Sequence, residues 1–173
     1  MALDLTFYGT LLEGDSYFAA RLHSDVWSSA TSAEKTAALI EARRIIDAFN
    51  FKNEKHTVYV LLLANSSASD EAIRAAEASQ TLEFPRGADT VVPEQIRLAA
   101  YEIAYELLDG KDPELELENL GIESQTFGQV KTTFNRDQLP IEHLINGVPS
   151  AKAWRWLKPY LRDGGSVVLS RVS

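Results

Sequence analysis

Leu82-Glu83-Phe84-Pro85-Arg86-Gly87-Ala88-Asp89-Thr90-Val91-Val92-Pro93-Glu94-Gln95-Ile96-Arg97 leads through two prolines into the longest apolar-periodic segment of the chain. Pro93 stands where a helix begins, because the first helical turn does not use the amide that proline lacks. From there the periodicity predicts a helix to Leu108, closed by Asp109-Gly110, with the glycine supplying a left-handed cap. One stripe is Ile96, Ala100, Ile103 and Leu107, and a second beside it is Leu98, Tyr101, Tyr105 and Leu108. The polar remainder is narrow: Gln95, Glu102, Glu106 and Asp109. A helix with two apolar stripes is central in its domain or shared with a neighbouring subunit.

Upstream, Thr10-Leu-Leu-Glu13 and Thr31-Ser-Ala-Glu34 both read as capping boxes, in which threonine and glutamate satisfy each other's free amides. The first predicts a helix to about Leu22, with Leu12, Tyr17 and Phe18 among its core residues. The second predicts a helix ending near Asn50, with a buried stripe of Ala38, Ala42, Ile45, Ile46 and Phe49. Trp27 precedes it as an anchor. Residues 57–64 read as either strand or helix, with helix preferred, and Ser69 opens an alanine-rich helix to about Ser79.

Downstream of Pro113 the period changes. Glu114, Glu116 and Glu118 alternate with Leu115 and Leu117, a strand signal, and residues 114–134 read as a β-hairpin or extended arm. Residues 140–146 make a helical turn, Ser150 caps a last helix, and Pro159 interrupts or ends it. Gly164-Gly165 then releases a strand-like tail, Ser166 to Val172. The fold class is therefore mainly α, a bundle of about five to six helices with a β-arm and a C-terminal tail. With 173 residues, 45% of them apolar, the expectation is one domain over 1–173.

The chemistry the chain lacks narrows its function. There is no cysteine, which removes disulfides, thiolate metal sites and cysteine nucleophiles. The opening residues carry no signal-peptide pattern, and the longest apolar run, Val58 to Ala64, falls far below the roughly 18 residues of a membrane span. His23, His56 and His143 lie in separate segments without metal-ligand spacing. The acidic run Asp109–Glu118 reads as a solvated face, not a cation site, and Glu102 with Glu106 as the polar edge of a helix. No catalytic, cofactor or metal site is predicted.

Net charge is −8 and unevenly spread: −2 over residues 1–66, −10 over 67–123, +1 over 124–139 and +3 over 140–173. An acidic body repels phosphate backbones, so a nucleic-acid role would have to sit in the tail. There, Trp154-Arg-Trp-Leu-Lys-Pro-Tyr-Leu-Arg162 interleaves aromatic and basic residues, a combination that can stack bases. Helical spacing separates an apolar stripe, Trp154, Leu157 and Leu161, from a basic one, Arg155, Lys158 and Arg162. That segregation favours a docked amphipathic helix.

Several pieces in fixed order resemble a family of tailed-bacteriophage head–tail connector (adaptor) proteins. They are Tyr8-Gly-Thr with Tyr17-Phe-Ala-Ala-Arg21, Ala42-Arg-Arg-Ile-Ile-Asp47 with Phe51-Lys52, Gln80-x-Leu-x-Phe-Pro-Arg86, Val92-Pro-Glu94, Ala99-Ala-Tyr-Glu-Ile-Ala104, and Pro149-Ser-Ala-x-Ala-Trp154 with Leu157-Lys-Pro-Tyr160. Relatives often carry the label of a DnaT-like single-stranded DNA-binding protein, which gives the alternative reading, a replication-type binder. The resemblance implies a non-enzymatic structural part of the virion neck, assembled in the host cytoplasm. It would form a twelve-membered ring, join the portal protein to the next neck or tail protein, and continue the DNA channel without sequence-specific binding. No membrane and no cofactor enter. Residues 57–79 depart from shorter relatives and read as a helical insertion, and 164–173 as a C-terminal extension. Candidate subunit or partner contacts are Leu98, Tyr101, Tyr105, Arg155, Trp156, Lys158, Tyr160, Arg162, Val167, Val168 and Leu169.

Overall fold

The computed structural model describes residues 5–120, 124–127, 130–133 and 142–162, and within them the chain is mainly helical. Its elements are α1 (Leu11–Ala19), α2 (Asp25–Ser29), α3 (Ser32–Asp47), α4 (His56–Ala64), α5 (Asp70–Ser79), α6 (Glu94–Leu108) and α7 (Pro113–Leu120). Two short strands follow, β1 (Ser124–Phe127) and β2 (Val130–Thr133), then α8 (Glu142–Ile145), α9 (Ala151–Leu157) and a 3-10 turn, Lys158–Tyr160.

Helix α6 is the axis. It begins directly after Pro93 and ends at Asp109, with Gly110 at φ +80°. Ile96, Ala99, Ala100, Ile103 and Ala104 are fully buried, and α3 and α9 pack along it from two sides. Small residues at 99, 100 and 104 let these neighbours approach closely. The facing residues are Ala38, Leu39, Ala42 and Ile46 of α3, and Ala153, Trp154 and Leu157 of α9. Thr31 forms the full capping box: its hydroxyl accepts the Glu34 amide, and Glu34 accepts the Thr31 amide at 2.7 Å. Ser69 and Ser150 cap α5 and α9 through their hydroxyls.

The loop before α6 is fastened to distant parts of the chain. Phe84, preceding Pro85 across a cis bond, is buried among the rings of Tyr8, Phe51 and Tyr160. The Glu83 amide donates to the Tyr8 hydroxyl at 3.1 Å, and that hydroxyl donates to Asp47. Arg86 donates to the carbonyls of Lys52 (2.9 Å) and Asn53 (3.1 Å). The turn after α9 is tied to the same place, with Lys52 N on Tyr160 O at 2.8 Å and Arg162 N on Asn50 O at 3.0 Å.

Three expectations change. Residues 113–120 are helical, not the first strand of an arm. Leucine and glutamate are strong helix formers, and Asp112 Oδ1 accepts the amides of Glu114 (2.9 Å) and Leu115 (3.4 Å) to start the turn. The alternating pattern had no sheet face to bury, because Leu115 and Leu117 are both exposed. Beyond that helix, β1 and β2 pair antiparallel, Ser124 opposite Thr133 and Phe127 opposite Val130. The rest of the segment between 121 and 141 lies outside the described residues, as does the tail from 164. Second, Leu12 is exposed, since α1 turns Leu11, Gly14 and Phe18 inward instead. Third, Glu102 is buried among the helices and is no polar edge.

Candidate interaction surface

Helix α1 is held against α6 through one tyrosine. The Thr10 hydroxyl accepts the Glu13 amide, as a cap should, but Glu13 does not reach back. Its place is taken by the Tyr101 hydroxyl, which accepts the Thr10 amide at 3.0 Å and lies 3.0 Å from the Thr10 carbonyl and 3.1 Å from Glu13 Oε2. Burial, with Glu13 beside it, pushes the Tyr101 phenol up to about 12. Glu13 is left to pair with Arg97. Gly9, at φ +80°, makes this approach possible: a Cβ there would stand 2.0 Å from the Tyr101 oxygen.

Between α1 and the first turns of α6 lies an open groove of about 480 Å³. Leu12, Ser16, Tyr17 and Leu98 line it, and Glu13, Glu94 and Arg97 form its charged part. Leu12, 77% exposed, stands on its lip.

Beneath the groove sits a buried charge, Glu102. Glu102 is 1% exposed, and its carboxylate accepts from Arg21 (2.8 Å), Lys152 (2.8 Å) and the Tyr17 hydroxyl. Lys152 also donates to the Tyr17 oxygen at 2.7 Å and lies 5.2 Å from the Trp156 ring centre. Burial alone would lower the Lys152 ammonium, but hydrogen bonds to Glu102 and Tyr17 raise it above its ordinary value. One carboxylate thus joins α1 and its C-terminal turn, α6 and α9. The signal was present in the sequence: Glu102 lies four residues after Leu98 and three before Tyr105, inside the second apolar stripe. A carboxylate in such a stripe requires cations from other elements.

The predicted contact residues divide accordingly. Leu98 and Tyr101 both line the groove, Leu98 half-buried and Tyr101 buried with its hydroxyl on Thr10. Tyr105 is half-buried, its hydroxyl donating to the His23 carbonyl at 2.7 Å and its ring beneath Arg21. On α9 and its extension, Arg155 and Arg162 are exposed, while Lys158 is bound to Glu142 at 2.8 and 2.9 Å. That ammonium holds the Glu142 carboxyl below its usual range. Trp156 and Tyr160 are half-buried, Tyr160 donating to Gln95 at 3.2 Å. Val167, Val168 and Leu169 lie outside the described residues.

A second surface was not among the predicted contacts. Residues 56–79 fold as a helical hairpin, α4 against α5, fixed at its base. Thr57 Oγ1 donates to Ala76 O at 2.7 Å, the His56 amide to Pro85 O at 3.0 Å, and the Thr57 amide to Gln80 Oε1 at 3.3 Å. Val58 of α4 is buried, and Val60, Leu63 and Ala64 are exposed, so this strongly apolar helix leaves part of one face uncovered.

Among the described residues, no three His, Asp or Glu side chains converge as a metal ion's ligands would. No helix there is long and apolar enough to cross a membrane. No family model, curated protein or solved structure matches the chain.

Proposed function

We propose that this chain is a structural head–tail connector of a tailed bacteriophage, a neck adaptor. It assembles as a ring of its own copies, joins the portal to the next neck or tail protein, and continues the DNA channel. The observation that carries the reading is where the motif residues of the resemblance lie. Tyr8, Asp47, Phe51, Lys52, Phe84, Arg86 and Tyr160 come from four distant segments, yet they meet in one packed and hydrogen-bonded knot. Residues so engaged hold a shape. A shape carried on a chain with exposed apolar residues suits a part whose work is adhesion.

The acidic stretch 67–123, at −10, suits a channel component, because like charge denies DNA its phosphate contacts. The twelvefold stoichiometry and strand addition by the tail belong to the same proposal. The alternative, a single-stranded DNA binder, draws on exposed Arg155 and Arg162 near Trp156. It is weakened by the engagement of Lys158 with Glu142.

Mass spectrometry of purified phage particles tests the proposal, followed by cryo-electron microscopy of the neck. The chain is expected in stoichiometric amounts beneath the portal. Its absence from intact particles would overturn the assignment.

A further inference from the structure

We infer that residues 56–79 are a conditional element, a helical hairpin that unfolds and refolds as one unit on a body that stays folded. The inference does not depend on the neck assignment.

Length and packing set the balance. Helices α4 and α5 have nine and ten residues, and helices that short are marginal in water unless tertiary packing holds them. Here the packing is thin. Val58 is buried, α5 buries no residue, and among the described residues none of 56–79 joins the hydrophobic core or packs against it. Helices α3 and α6, by contrast, bury Leu39, Ile46, Ile96 and Ile103 completely. A cleft of about 290 Å³ lies between hairpin and body, with Val58, Ile73 and Glu77 on one wall and Phe49, Asn50 and Arg162 on the other. Polar side chains on both walls keep it from being a dry apolar contact.

The ties that hold the hairpin are gathered at its base. Gln80 makes the central one. Its Oε1 accepts the Thr57 amide at 3.3 Å, while its Nε2 donates to the carbonyls of Leu82 and Pro85, both at 2.9 Å. The His56 amide donates to Pro85 O at 3.0 Å, and Lys55 Nζ to Gln80 O at 3.1 Å. Within the hairpin, the Thr57 hydroxyl donates to Ala76 O at 2.7 Å and joins the first turn of α4 to α5.

Few buried apolar contacts are the physical mark of a segment that opens below the free energy of global unfolding. Neither helix is stable alone, so loosening one removes the other's support and both melt together. The body keeps its own fastening, since Phe84 is held by the rings of Tyr8, Phe51 and Tyr160 and not by the hairpin. What opening releases is distinctive: residues 56–69 carry no formal charge, in a chain of net −8, and Val58 to Ala64 is its longest apolar run. The hairpin is thus an order–disorder device that shows or withdraws an uncharged apolar segment without disturbing the body.

Hydrogen exchange of the full chain, at urea concentrations below the main transition, tests this. Hydrogen-bonded amides of α4 and α5 should share one opening constant, about tenfold or more larger than that of α3 and α6. T57V removes the hydroxyl tie and keeps the side-chain shape. It should speed exchange in α5 as much as in α4, by about tenfold, and leave α3 and α6 unchanged. Q80A should do the same from the base.

Different opening constants for α4 and α5 would mean separate fraying and overturn the inference. So would a hairpin that exchanges no faster than α6, a T57V effect confined to α4, or a Q80A variant whose hairpin exchanges as in the wild type. If either variant speeds α6 equally, hairpin and body unfold as one, and the inference falls on that result too.

Discussion

Removing both cations from Glu102 should do far more damage than removing Glu102 itself. The carboxylate is 1% exposed, whereas the side chains of Arg21 and Lys152 are 26% and 46% exposed. Deleting the carboxylate lets both cations turn back to water, so E102L should stay within about 1 kcal/mol of the wild type. Deleting the cations leaves a charge inside the protein with only Tyr17 to donate to it. Breaking a buried ion pair from one side costs about 3–5 kcal/mol, so R21A/K152A should lose that much. For a chain of this size each kcal/mol moves the midpoint by about 2–4 °C, giving a drop of roughly 6–20 °C. The triple variant R21A/K152A/E102L should recover most of the loss, because the stranded charge is gone. Thermal and urea unfolding followed by circular dichroism measure all three. A double variant within about 1 kcal/mol of the wild type, or a triple variant no better than the double, would refute the idea that one buried charge braces three helices.

Gly9→Ala should destabilise by about 2 kcal/mol or more, since it combines a left-handed φ with a clash on the Tyr101 oxygen. In a Tyr101→Phe background the contact with the oxygen is gone while ring Cζ, 2.8 Å from the added Cβ, remains, so the penalty should shrink without vanishing, which a melting comparison resolves. Thr31→Ala should cost about 1 kcal/mol through loss of the capping box of α3. Lys35 and then Trp27 hold the Asp15 carboxyl below its ordinary value of 3.8, and Lys158 holds Glu142 below 4.5. Depressed acids contribute stability above their unfolded values and lose it as pH falls through the folded ones. Stability should therefore fall on acidification below about pH 4, and E142Q should flatten that slope in unfolding followed by tryptophan emission. Asp47, raised by burial against its bonds to Tyr8 and Arg43, acts oppositely. Its contribution is present at low pH and lost as pH rises through the folded value, so D47N should make acid sensitivity steeper. Finally, binding of single-stranded DNA by Arg155 and Arg162 alone would neutralise two phosphates, giving a slope of log affinity on log salt near about −1.4. A much steeper slope abolished by R155A/K158A/R162A would favour the DNA-binding alternative.

What could be read in the sequence was local. Thr31, Ser69 and Ser150 are helix starts because their hydroxyls meet amides two or three residues away, and proximity in sequence guarantees that meeting. Residues 57–64 are helical for similar reasons of composition. Residues 113–120 misled because only two leucines defined the period, and two points fit either repeat. Thr10-x-x-Glu13 looked the same as Thr31-x-x-Glu34, yet only the second closes its box. The difference is Tyr101, ninety-one residues away, which no local rule contains. Glu102 is the same lesson with charge: its stripe could be read, but Arg21 and Lys152 could not be assigned to it without the fold.

The distribution of cations explains why such an acidic chain holds together and why it should grip phosphate poorly. Arg21 and Lys152 serve Glu102, Lys55 and Arg86 serve Glu83, Arg43 serves Asp47, Lys35 serves Asp15 and Lys158 serves Glu142. Most of these pairs join different elements, so positive charge is spent internally as fastening. What remains outward is an excess of carboxylate with uncharged apolar islands. The islands lie on α4 and at the lip of the groove beside Leu12. On such a surface copies can attract through the apolar islands and through Arg155 and Arg162 set against carboxylates, while carboxylate facing carboxylate repels. Repulsion outside a contact restricts its register as firmly as attraction within it, because a displaced pairing sets carboxylate against carboxylate. The ring proposed above requires that restriction, because a closed assembly admits one orientation per contact.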